Sequence, residues 1–111
     1  MLQLGATLYE KHCVECHKAD GRGEPPHFPP LAGNRVLMLA SPVNPIRAVL
    51  HGGYPPSTQG NPRPYGMPPF GAVLSDAEVA ALVSYVRNAW GNHGPMVTSE
   101  VVNRHRSVAV D

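Results

Sequence analysis

The sequence predicts an all-α domain whose helices are joined by long proline-rich loops. Two stretches, residues 2–12 and 75–91, carry apolar side chains at helical spacing. No alternation of apolar and polar residues runs long enough to support a strand. Thirteen prolines and eleven glycines among 111 residues punctuate the rest. Since 42% of residues are hydrophobic and patterned, the chain reads as folded rather than low-complexity. Its length fits one domain over residues 1–111. So short a chain with so much loop has limited apolar surface to bury, so something inside is expected to add to its core.

In chain order, Leu4, Gly5, Leu8, Tyr9 and His12 share one face of the first helix. Residues 18–33 hold Gly21, Gly23, Pro25, Pro26, Pro29 and Pro30 and read as loop. Asn34 to Ala40 suits a short helix. Pro42 and Pro45 bracket another start, and "IRAVLHGG" suits a helix ending at Gly52 or Gly53. Tyr54 to Gly71 has no regular structure the sequence supports, and a loop of that length in a compact domain is usually functional. Ser75 and Glu78 form a capping box. Val79, Leu82, Val83, Val86 and Trp90 follow on one face, with Gly91 as the stop. Ser99 to Arg106 is a last short helix, with Thr98 as its cap.

A formal net charge of +1 argues against nucleic-acid binding, which calls for a basic stripe. No apolar run reaches the length of a membrane helix. The start, "MLQLGATLYEKHC", lacks the basic and apolar regions of a signal peptide. The expectation is a removed signal or a domain of a longer chain.

Both cysteines lie in "CVECHKADGRG", and His17 follows Cys16 directly. C-x-x-C-H is the spacing of covalent haem attachment: two thiols add to the vinyl groups of one haem, and the adjacent histidine reaches iron from the same side. A thioredoxin-like redox pair would need strands around it. A structural zinc site would need two more ligands, and no suitably spaced histidine pair offers them.

Haem iron then takes a sixth ligand or keeps an open position. Met67, in "YGMPPF" within the proline-rich loop, is the candidate ligand, set against the ordinary gap-filling role of methionine. Met38 reads as core and Met96 as tail packing. His51 reads as a solvated helix end. His12 stands on the wrong side of Cys13 to replace His17, and His27, His93 and His105 read as surface or loop.

"GATLYEKHCVECH", "FPPLAGN", "MPPF" and "LSDAEVAALVSYVRNAWGN" together resemble class I c-type cytochromes over nearly the whole chain. The resemblance implies N- and C-terminal helices crossing beside one covalent haem c, with Gly5 and Tyr9 on the first and Leu82 and Tyr85 on the second. It implies His17 and Met67 as iron ligands. It also implies a proline carbonyl, aligned on Leu31 and Gly33 at Pro29, that accepts the axial histidine's proton and fixes its ring. Arg35 and Arg47 are candidates for haem propionates, equally readable as solvated surface arginines. "VLHGGYPPSTQG" and the "WGN…V…V…R" tail are similar to cytochrome domains attached to periplasmic dehydrogenases acting on alcohols or sugar acids, with about residues 92–111 as a C-terminal extension. The implied role is electron transfer from a dehydrogenase donor to an oxidase or another cytochrome, in the periplasm. A haem enzyme or gas sensor with a displaceable sixth ligand is the competing reading.

Overall fold

The computed structural model describes residues 2–23, 30–52 and 67–106. Among the described residues five α-helices run α1 (Leu2–His12), α2 (Val14–His17), α3 (Val43–His51), α4 (Asp76–Val86) and α5 (Ser99–Arg106). A 3₁₀ turn, Arg35–Met38, replaces the helix expected over 34–40. Among the described residues no helix is long and apolar enough to cross a membrane.

The core forms where α1 and α4 meet. Gly5, Leu8 and Tyr9 are buried on α1, and Val79 to Ser84 with Val86 on α4. Gly5 decides the approach. A Cβ there would stand 2.2 Å from the Ala81 carbonyl oxygen and 2.6 Å from the Tyr85 Cβ, so a larger residue would push the helices apart. Leu4, expected on the inner face, is 44% exposed. The α1 stripe is narrower than its spacing suggests, because the contact is centred on Gly5.

Helix α4 begins as its sequence requires. The Glu78 amide donates to Ser75 Oγ at 3.2 Å, and the Ser75 amide donates to Glu78 Oε1 at 2.9 Å. It ends earlier than expected, at Val86 rather than beside Gly91. Asn92 Nδ2 donates to Val86 O at 2.9 Å, taking a carbonyl that a continuing helix would use. Trp90, with φ +55°, has left the helical backbone.

Helix α3 begins at Val43, with Pro45 in its first turn where a missing amide costs least, and stops at Gly52 with φ +68°. Thr98 caps α5, its Oγ1 accepting from the Val101 amide at 3.3 Å. Val97 and Val102 are fully buried and join the same core as α1, α3 and α4.

Among the described residues Arg87 is the largest fully buried side chain. Its Nε donates to Leu37 O at 2.8 Å and Nη1 to Pro95 O at 2.8 Å, while Nη2 donates to Leu39 O. One guanidinium thus ties the 3₁₀ turn and the chain before α5 to the end of α4. Burial lowers its pKa from the ordinary arginine value.

Candidate metal centre

The C-x-x-C-H motif forms a short helical turn of its own. The Cys13 amide donates to Tyr9 O at 2.8 Å, continuing α1, and the His17 amide donates to Cys13 O at 2.9 Å. Cys13 is buried and Cys16 half-buried, and neither is in a disulfide. Burial pushes the Cys13 thiol up to about 11, with Cys16 adding to the rise. A nucleophilic redox cysteine needs the opposite shift. Among the described residues no three His, Cys, Asp or Glu side chains gather as a metal site. Two thiols on one turn, outside any disulfide and with an imidazole next in sequence, fit the covalent haem arrangement.

The turn after the motif is held from α1 and from the chain just beyond α4. Lys18 takes φ +66°. The Tyr9 hydroxyl donates to Lys18 O at 2.5 Å, and burial raises its pKa above the ordinary tyrosine value. Trp90 Nε1 donates to Ala19 O at 2.8 Å. The Tyr9 and Trp90 rings meet edge to face at 5.0 Å between centroids. Gly21, with φ +70°, lies under the Trp90 ring, where a Cβ would stand 2.5 Å from ring carbons. The chain then returns to the motif, the Gly23 amide donating to His17 O at 2.9 Å.

Asn92, fully buried, carries the next stretch. Its Oδ1 accepts from the Gly33 amide at 2.8 Å, and its Nδ2 donates to Leu31 O at 3.0 Å. Leu31 is half-buried, its amide donating to Gly21 O at 2.6 Å. Pro29, assigned the histidine's acceptor, and His27 lie outside the described residues.

Met67 is half-buried and packs against the cluster that contains Cys13, as does Leu31. Three residues on, the Phe70 ring meets His12 edge to face at 5.3 Å, beside the start of the motif. Of the sequence-predicted residues, Cys13 belongs to the hydrophobic cluster against which Leu31 and Met67 both pack. Arg35 and Arg47 are exposed. Met38, expected as core, is half-buried, and Met96 is 49% exposed. His51 is no free helix end: its Nε2 is 3.2 Å from His105 O. His105, expected at the surface, has its Nδ1 buried.

Asn92, Arg87 and Trp90's hold on the 18–21 turn are the site supports that sequence reasoning missed. "WGN" was the available signal, but it did not say that its asparagine reaches back to Leu31 and Gly33.

The family model described as cytochrome c matches residues 2–90. The chain belongs to the cytochrome c family. Its cofactor is accordingly haem c, and Cys13 and Cys16 stand at the spacing covalent attachment uses. The chain is 38% identical over 103 residues to the cytochrome c subunit of a quinone-dependent alcohol dehydrogenase from Gluconacetobacter polyoxogenes, covering 92% of this chain and 22% of that protein. It is 38% identical to the gluconate 2-dehydrogenase cytochrome c subunit of Pantoea cypripedii, covering 81% of this chain and 21% of that one. It is 35% identical to cytochrome c-552 of Thermus thermophilus, covering 79% and 69%. The chain thus spans about a fifth of the dehydrogenase subunits it matches. The cytochrome c match stops at residue 90, although Val97 and Val102 beyond it lie in the core.

Proposed function

We propose that this chain is a single-haem electron carrier, with haem c attached through Cys13 and Cys16 and ligated by His17 and Met67. The observation that carries the reading is the C-x-x-C-H turn bordering the apolar cluster on which Met67 also packs. Bound haem supplies reversible one-electron chemistry at iron. The chain's own groups tether it, orient it and exclude water. Cys13, Leu31 and Met67 offer it an apolar wall. A thioether ligand and burial both raise reduction potential. With His17 and Met67 both as ligands, the site would suit electron transfer rather than chemistry on a substrate.

The alcohol and gluconate dehydrogenase subunits among its relatives support a dehydrogenase as electron donor, with a respiratory acceptor downstream. Covalent haem attachment supports a periplasmic location. The near-neutral chain favours a small, transient contact without strong charge steering. Arg35 and Arg47, both exposed, remain the candidates for propionates, and Pro29 for the acceptor of the His17 proton.

Visible spectra of matured protein test the reading. Sharp reduced c-type bands that survive acid-acetone extraction are expected. Met67→Ala should open the iron to carbon monoxide and lower the potential. Ready carbon monoxide binding by the unaltered reduced protein would instead favour a gas sensor or haem enzyme. A colourless protein holding zinc would remove both haem readings.

A further inference from the structure

The last turn of α5 reaches the segment that carries Met67. That segment is first tied to α3: the Phe70 amide donates to Val49 O at 2.8 Å, and the Gly71 amide to Leu50 O at 3.1 Å. Gly52 lies against Met67 itself. A Cβ there would stand 2.3 Å from the Met67 carbonyl oxygen and 2.9 Å from Pro69 N. Arg106 then closes over the corner. Its guanidinium donates to the Gly71 carbonyl, to Leu74 O at 2.9 Å and to Asp76 Oδ1 at 2.6 Å. Asn103, one turn earlier, donates to Asp76 Oδ2 at 2.9 Å. His105 offers its carbonyl to His51 Nε2 at 3.2 Å. One helical turn therefore grips His51, which leads into Gly52, and Gly71 to Asp76, which follow Met67.

Three acceptors on three different residues call for a planar fork. Lysine carries its three donors on one nitrogen and lacks the spread of the fork, so it would not reproduce all three contacts. The Arg106 side chain is 29% exposed, so these bonds are sheltered from water. They are also long-range, joining residues 30 to 35 positions apart. Deleting the fork removes the α5 donor from the Gly71 and Leu74 carbonyls.

We propose that Arg106 is a positioning residue for Met67: by tying Gly71, Leu74 and Asp76 to the end of α5, it keeps the Met67 segment seated and sets how readily the Met67 sulfur gives up its place to another ligand. This rests on the reading of Met67 as the axial ligand. Outer groups that hold a ligand commonly matter nearly as much as the ligand.

The test uses the haem-loaded protein with Arg106→Gln, Arg106→Lys and Met67→Ala. Two spectroscopic readouts are followed: carbon monoxide binding to the reduced form, and the methionine-to-iron charge-transfer band of the oxidised form. Arg106→Gln should bind carbon monoxide on the order of tenfold more readily, the scale of losing charge-assisted hydrogen bonds, and weaken the band. Arg106→Lys should fall between it and the unaltered protein. If Arg106→Gln fails to fold, Arg106→Lys decides by the same readouts. Variants that melt earlier yet match the unaltered protein in both readouts overturn the positioning role, provided Met67→Ala changes them. If Met67→Ala leaves the band intact, the ligand reading fails and the inference falls with it.

Discussion

The two sides of the candidate metal centre are built differently. The Cys13–His17 side is contiguous in sequence, an extra turn added to α1. Side chains from α1 and the chain just beyond α4 close over it: Tyr9 on Lys18, Trp90 on Ala19 and Gly21, Asn92 on Leu31 and Gly33. On the Met67 side, the described residues 67–71 lie outside any helix. That side leans on the carbonyls of α3 and on one arginine from α5. The motif turn is thus made locally and then braced from a distance. A side assembled from distant parts depends on the whole fold closing. On the proposed ligation by His17 and Met67, the difference would suit one permanent ligand and one exchangeable one.

Substitutions can separate the two sides. The largest effect is expected at Asn92. Asn92→Ala leaves the Gly33 amide and the Val86 carbonyl without their partner, and the Leu31 carbonyl with the Asn34 amide alone, at a cost of about 3 kcal/mol in denaturant unfolding. Carbon monoxide binding should barely move, because the Met67 side is untouched. A large gain in binding would show that the sides are not independent.

Gly21→Ala comes next. It combines a left-handed backbone with a collision against the Trp90 ring, and should cost about 2 kcal/mol. Gly21→Ala combined with Trp90→Phe should recover little, since the backbone strain remains. Full recovery would assign the whole cost to the ring.

The smallest effect is at Asp76, on the other side. The hydrogen bond from Arg106, then that from Asn103, holds its carboxyl below the usual aspartate range. A folded pKa below the unfolded one gives stability that is present above about pH 4 and lost as pH falls through the folded value. Asp76→Asn should therefore melt slightly earlier than the unaltered protein near neutrality, with the gap closing in acid. A gap that stays constant with pH would mean that the carboxylate charge contributes nothing there.

Local chemistry was legible because its causes lie within a few residues. The Ser75–Glu78 box, the Gly52 stop and the Thr98 cap each involve neighbours three or four positions apart, and each formed as read. The end of α4 was misread because Asn92 folds back on Val86. The 3₁₀ turn replaced a helix where Arg87 draws in the Leu37 and Leu39 carbonyls from about fifty positions away. Leu4 was assigned inward by its spacing and lies outward, since spacing marks a face but not where on that face the partner helix sits.

By itself, the sequence determined the all-α class, the haem motif and the choice of Met67 as candidate, because residue type and short spacing suffice for these. The tertiary structure alone decided that Trp90 and Asn92 brace the motif's turn and that Arg106 reaches the Met67 segment. Those pairs are 30 to 71 positions apart. A buried backbone carbonyl needs a donor, but only the closed chain specifies which distant side chain supplies it.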